Sequence, residues 1–283
     1  MVVDAFRLLH LSDLHLMDGE TIPGVHPSNR LAEFLAEIVE RGLRIDACVI
    51  TGDLAHNGSS PAYRRLANVL NSCPWPTRVV PGNHDEIEVG REILGDNYWP
   101  EADTWRWQLR EKLSLVGTSS VIPGFHHGEL SDDSLAELTR VISNLPHDES
   151  WLLACHHPPQ DVGHWWMDGQ GLLRGREQIL EIVDSKRALA VVCGHLHMTV
   201  IVRRPSGAQI LVAPSVAHEV VFDDRHEKPL RFRARSPRAL LHSIHGQQMT
   251  TVEITGGGSS HLVEGRPWPD EVMRTNLRKP APR

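Results

Sequence analysis

Apolar positions along the chain follow two alternating spacings. Short continuous runs at residues 6–11, 46–51, 78–80, 151–155 and 188–193 read as buried strands. Between them the spacing becomes helical. Leu31, Phe34, Leu35, Ile38 and Val39 share one face, with Ser28 or Asn29 placed to cap that helix and Gly42 to end it. Further helices are expected near 61–70, near 131–144 with Leu135, Leu138, Val141 and Ile142 inward, and near 174–184. Strands alternating with helices predict a βαβ, largely parallel start. Beyond residue 198 the texture turns β-rich, with runs at 199–203, 209–212, 239–245 and 249–254. The pattern as a whole predicts a two-sheet α/β sandwich.

The stretch 96–128 has no clear period; it holds Trp99, Trp105 and Trp107, an apolar run at 113–116 and a Gly/Pro/His-rich loop. Residues 256–283 open with three glycines and two serines and carry four prolines, which predicts a flexible tail after a domain spanning 1–255. A chain of 283 residues buries a sizeable core without staples. None of the four cysteines forms a Cys-x-x-Cys pair, and Cys48, Cys155 and Cys193 sit in apolar runs, so reduced core thiols are expected. The formal net charge of -7 offers no basic field for a nucleic-acid polymer or an anionic membrane. No run of eighteen apolar residues occurs, and residues 1–4 lack a basic region leading an apolar one. A soluble, cytoplasmic protein is the expectation.

Eighteen histidines are many for this length, and several fall just past the strand-like runs. Five blocks occupy such positions: Asp13-Leu14-His15, Gly52-Asp53, Gly82-Asn83-His84-Asp85, His156-His157-Pro158-Pro159 and Gly194-His195-Leu196-His197. In open α/β sheets, loops at the carboxyl ends of strands carry the site. Asp13 and His15, two apart, project to one side of an extended segment. Asp53 follows a tight turn, and its two oxygens can bridge cations roughly 3.5–4 Å apart. Asn83 offers a neutral oxygen, and the adjacent His84 can donate to a phosphoryl oxygen or protonate a leaving alkoxide. His156, first off its strand, is the expected ligand, with His157 behind it. Any one block alone can be explained without a metal, the Gly82-Asn83-His84-Asp85 block least readily; five in succession predict a binuclear centre. Seven mixed donors, Asp13, His15, Asp53, Asn83, His156, His195 and His197, suit Mn, Fe, Zn or Co and exclude an iron–sulfur or thiolate zinc site.

This ordered set resembles the calcineurin-like metallophosphoesterase superfamily. Thr51-Gly52-Asp53-Leu54-Ala55 with Tyr63, His156-His157-Pro158-Pro159, Met167-Asp168 with Gly171-Leu172, and residues 213–218 and 236–242 are similar to its bacterial class III group of cyclic-nucleotide phosphodiesterases and glycerophosphodiesterases. The resemblance covers about residues 6–254. It implies a four-layer α/β/β/α sandwich with two mixed sheets, and segment 96–128 as a small cap or dimerisation insertion of a homo-oligomer. It implies one metal on Asp13, His15, Asp53 and His197, and a second on Asp53, Asn83, His156 and His195. Hydrolysis of a small phosphodiester, a glycerophosphodiester first and a cyclic nucleotide as the alternative, would proceed by metal-activated hydroxide with His84 assisting. A phosphomonoesterase and a non-catalytic scaffold are weaker alternatives; filled ligand positions argue against the scaffold, and the acidic balance against a nuclease. His218 and His164 are candidate substrate contacts, and Trp165 and Trp166 are candidates to stack on a base or to pack in the core. Two positions depart from the group: His56 stands after Leu54-Ala55 and His26 after Gly24-Val25, where an Asp is expected.

Overall fold

The computed structural model describes residues 5–164, 166–186, 188–222 and 231–257. The first half contains β1 (Phe6–Leu11), α1 (Pro27–Glu40), β2 (Ala47–Thr51), α2 (Ser60–Asn71), β3 (Thr77–Val80) and α3 (Ile87–Leu94). A hairpin follows, β4 (Thr104–Arg110) with β5 (Leu113–Thr118), then β6 (Gly128–Glu129), α4 (Asp132–Ser143) and β7 (Ser150–Ala154). Next come β8 (Leu172–Arg174), α5 (Arg176–Ser185), β9 (Ala188–Cys193), β10 (Val200–Arg203) and β11 (Gln209–Val212). The last strands are β12 (Glu219–Val220), β13 (Phe232–Arg233), β14 (Arg238–His245) and β15 (Gln248–Thr255).

Two mixed sheets carry the molecule. One has the order β15-β14-β1-β2-β3, the other β10-β11-β9-β7-β5-β4. β1, β2 and β3 run parallel in the first sheet, and β7 and β9 in the second. Leu8, Val49 and Leu240 of the first sheet meet Leu115, Leu152 and Val192 of the second in a shared apolar layer. Leu31, Phe34, Tyr63 and Leu66 of α1 and α2 cover the outer face of the first sheet. Leu138, Ile142, Ile179 and Val183 of α4 and α5 cover the second. Three apolar layers between four tiers of backbone make the α/β/β/α sandwich. Non-polar burial at each tier is what holds the loops at the sheet ends in place.

Several local expectations change. The N-cap of α1 is His26, which has no side-chain cap bond, with Pro27 opening the helix. Ser28 Oγ instead donates to Met17 O at 3.2 Å. Val39, assigned inward by spacing, is 49% exposed because it lies at the margin of the buried stripe. Segment 96–128 supplies β4 and β5, and β5 pairs in parallel with β7 as an interior strand of the second sheet. That leaves β4 as one edge of the sheet, with β10 at the other. Trp99 packs inside among Tyr63, Leu66 and Leu94, against the glycine at position 90, where a Cβ would lie 2.3 Å from the indole. The Gly/Pro-rich tail past Gly257, and Trp165, lie outside the described residues.

Candidate metal centre

The five blocks leave the carboxyl ends of β1, β2, β3, β7 and β9, so two sheets deliver them to one edge of the sandwich. Their backbone is unusual. Among the described residues six non-glycines have positive φ, and five of these are Asp13 (51°), His15 (46°), Asp53 (52°), His195 (72°) and His197 (56°). The left-handed region costs an L-residue energy and persists where the surroundings enforce it. Asp13 and His15 are therefore not in the extended segment their spacing suggested. Cross-links enforce the turns: Asp13 N–H donates to Gly52 O at 3.1 Å and His15 N–H to Asp53 O at 2.8 Å. Gly52 has to be small as well as left-handed, since a Cβ there would lie 2.5 Å from His156 Nδ1 and 2.8 Å from the backbone of Gly82.

Asp53 stands at the middle. Its Oδ2 lies 3.4 Å from His15 Nε2 and its Oδ1 3.5 Å from His156 Nε2. On the first side, His15 Nε2 and His197 Nε2 are 3.0 Å apart and His197 Nε2 is 3.4 Å from Asp13 Oδ1. Donor atoms of Asp13, His15, Asp53 and His197 all fall within 4.8 Å of one another. On the second side, His156 Nε2 lies 3.2 Å from Asn83 Oδ1 and 3.2 Å from His195 Nδ1. The fold thus gathers all seven residues into two groups that share Asp53.

The outer nitrogens decide what these inner atoms are. His156 Nδ1 donates to Thr51 O at 2.7 Å and His197 Nδ1 to His218 O at 3.1 Å. A neutral imidazole that donates through Nδ1 presents a bare lone pair at Nε2. His156 Nε2 therefore faces the Asp53 and Asn83 oxygens as acceptor against acceptor, and only protons or a cation reconcile them. The buried Nε2 of His195 has no hydrogen-bond partner. Such convergence of imidazole, carboxylate and amide oxygen fits hard to borderline divalent cations.

Charges follow from the same crowding. Burial, together with Asp53, drives the Asp13 carboxyl up to about 7, against the pull of His156. Burial opposes a charge on His156, yet Asp53 and Asp13 outweigh it and raise His156 to about 9. Asp53 is held well below the usual carboxylate range, since the neighbouring His156, His15 and His84 overcome its burial. Burial depresses His15 and His195 strongly and takes His197 down to about 4. Asp53 is the ionised member, and protons collect on His156 and Asp13.

A cleft of about 370 Å³ opens over the centre, and His84, His56, His126 and His218 line it beside the ligand groups. His84 N–H donates to Asp53 Oδ1 at 3.0 Å, and its Nδ1 donates to His56 O at 2.8 Å, so Nε2 remains for a ligand. His218 sits between His197 and Phe232, with centroids 4.6 and 5.3 Å away, and burial takes it down to about 3. His164 does not reach the cleft. It is 2% exposed, accepts the Trp166 and Met167 N–H groups at Nδ1 and packs on Phe222. His157 has both ring nitrogens engaged, with Ser120 Oγ at 2.8 Å and His126 O at 2.9 Å. His26 pairs with Glu20 at the surface. His126 carries no motif signal in the sequence, yet its Nδ1 accepts from Asn83 Nδ2 at 3.3 Å, which turns the Asn83 oxygen toward His156.

The calcineurin-like phosphoesterase family model matches residues 6–199. The chain belongs to this family. It is 30% identical over 213 residues to a probable glycerophosphodiester phosphodiesterase of Arcobacter nitrofigilis, covering 74% of this chain and 77% of that one. It is 29% identical to a probable cyclic nucleotide phosphodiesterase of Rhodococcus erythropolis, covering 92% of this chain and 86% of the relative. The crystal structure of a dimetal phosphatase from Danio rerio superposes with a TM-score of 0.62 at 17% identity, over 88% of this chain and 98% of that one. The two positions that depart from the group's pattern in sequence, His56 and His26, fall on different sides of this picture: His56 lines the cleft, and His26 lies at the surface.

Proposed function

We propose that the chain hydrolyses small phosphodiesters at this centre, giving a phosphomonoester and an alcohol. The observation that carries the reading is Asp53, whose two oxygens face separate donor groups, at 3.4 Å from His15 and 3.5 Å from His156. Two divalent ions of the Mn, Fe, Zn or Co kind, held there, would neutralise phosphoryl oxygens and lower the pKa of water. Asp13, His15, Asp53 and His197 would hold one ion, and Asp53, Asn83, His156 and His195 the other. Water, having given up one proton to solvent, would add to phosphorus in line with the leaving oxygen; the ester P–O bond breaks, and the leaving oxygen would take its proton from His84 Nε2, which solvent then reprotonates.

Charge favours a diester over a monoester. Among the described residues lining the cleft there is no Lys or Arg. A diester carries one negative charge, whereas a monoester carries up to two near pH 7, as its second pKa is about 6. The names of both relatives support diester chemistry. Glycerophosphodiesters are the first substrate class. Cyclic nucleotides are the second, favoured by the apolar wall of Ile22, Trp166, Val220 and Phe232 against which a base can lie. A cytoplasmic setting and pairing of copies through edge strand β4 belong to the same reading; among the described residues no helix is long and apolar enough to cross a membrane.

The deciding experiment compares turnover of bis(p-nitrophenyl) phosphate and p-nitrophenyl phosphate by the metal-loaded protein. Faster turnover of the diester is expected. Preference for the monoester overturns the reading while leaving the centre itself intact.

A further inference from the structure

His56 is one of the two side chains that depart from the related group's pattern, and it stands behind the first metal half-site. Its backbone is fixed. His56 N–H donates to Leu16 O at 3.0 Å, while the preceding Leu54 and Ala55 N–H groups donate to Asp85 at 3.1 and 3.0 Å. Its ring touches two functional histidines. Nδ1 lies 3.2 Å from His15 Nδ1, and the ring stacks on His84 with centroids 5.2 Å apart at 22°.

Hydrogen placement follows from that geometry. His15 directs Nε2 at Asp53 and His197, so as a ligand it keeps its hydrogen on Nδ1 and can only donate there. His56 Nδ1 is then the acceptor, and neutral His56 carries its own hydrogen on Nε2. The His56 carbonyl, at 2.8 Å, takes the Nδ1 hydrogen of His84. One loop residue therefore orients a metal ligand through its side chain and the cleft histidine through its backbone. The other ligands differ. His156 and His197 use backbone carbonyls as outer partners, which no substitution removes. At His15 the outer partner is a side chain.

We propose that His56 is a positioning residue of the metal centre: by accepting the His15 Nδ1 hydrogen it holds His15 Nε2 toward Asp53 and sets the affinity of the half-site made by Asp13, His15, Asp53 and His197. The inference rests on the binuclear reading of the site. Outer hydrogen-bond partners of metal-bound histidines contribute about 10–100-fold to affinity. A neutral imidazole is a weaker acceptor than a carboxylate, so the His at this position tunes the half-site below what an Asp would give.

The test is calorimetric titration of the full chain, stripped with chelator, with Mn²⁺. Wild type should take up two ions. His56→Ala should weaken one binding step by about 10-fold or more and leave the other unchanged. His56→Asn, whose amide oxygen lies close to the place of Nδ1, should restore that step, and His56→Asp should strengthen it. A residue that only supports the fold would lower both steps together with the metal-free melting temperature, and Asn would not rescue; that result overturns the proposal. Unchanged binding in His56→Ala also overturns it. Failure of wild type to bind two ions instead removes the binuclear reading, and the inference with it.

Discussion

The Tyr63 hydroxyl donates to Asp85 Oδ1 at 3.0 Å, directly beneath the loops that carry Asp53 and Asn83. The same carboxylate accepts the N–H groups of Leu54, Ala55 and Gly82 at 3.1, 3.0 and 2.9 Å. Burial and the charge of Asp53 raise Asp85 to about 6, so it is ionised at neutral pH and suited to four donors. Tyr63 in turn accepts Glu86 N–H at 2.9 Å, which ties α2 to the segment behind Asn83. One carboxylate thus holds the β2 and β3 loops in register.

Removing that hydroxyl should cost stability. Tyr63→Phe deletes a buried hydrogen bond to a charged group, a loss of about 1.5–3 kcal/mol in urea unfolding. Asp85→Ala leaves three backbone N–H groups unpaired and should cost more, with reduced metal content by elemental analysis. Wild-type stability in both variants would show that the loops are held by other contacts.

If the proposed reaction is right, His84 acts in it without holding an ion. His84→Ala should keep two metals per chain while turnover of an alkyl diester falls by about 100-fold to 10,000-fold. With a p-nitrophenyl leaving group, which needs no proton, the loss should be much smaller. Equal losses with both leaving groups would reassign His84 from proton donor to binder of the phosphoryl oxygens.

Metal uptake should release protons. In the metal-free protein Asp13 titrates at about 7 and His156 at about 9, so both carry protons at pH 6 that a cation must displace. Affinity should therefore rise from pH 6 to pH 9, with proton release detected by calorimetry in buffers of different ionisation heat. Stability of the metal-free form runs the other way. Both folded pKa values lie above the unfolded values of 3.8 and 6.5. The Asp13 contribution is complete below 3.8 and lost through about 7; that of His156 is complete below 6.5 and lost through about 9. Chelated protein should melt several degrees lower at pH 9 than at pH 6, and loaded protein should not.

The centre was readable because its chemistry is local to strand ends. Each block follows a buried apolar run, and β-strands that pair in parallel necessarily bring such ends to one edge. Period was a poorer guide where packing outvotes it. Residues 104–118 have no clean alternation, since edge strand β4 is only partly covered, with Thr104 and Trp105 buried and Arg106 and Gln108 exposed, while every residue of β5 is buried. His164 looked like a cleft residue because it precedes Met167-Asp168. Backbone donors from Trp166 and Met167 turn its Nδ1 inward instead. His126 was invisible for the opposite reason: it lies in an irregular loop, and only folding brings it to Asn83. Spacing along a chain does not encode a contact between residues 43 apart.

Asp53→Asn isolates the bridge from the packing. The substitution keeps side-chain volume but replaces one oxygen by an NH₂ group, which cannot ligate a cation. Whichever way the amide turns, either the His15 side or the His156 side loses its donor. Metal content should fall from two ions to one or fewer, and turnover by at least about 100-fold. The melting temperature of the metal-free protein should fall, since His156, His15 and His84 hold Asp53 ionised in the folded state and the amide leaves His156 without its charged partner. Two retained ions with wild-type turnover would mean that Asp53 serves one half-site only, and the shared-carboxylate arrangement would have to be abandoned.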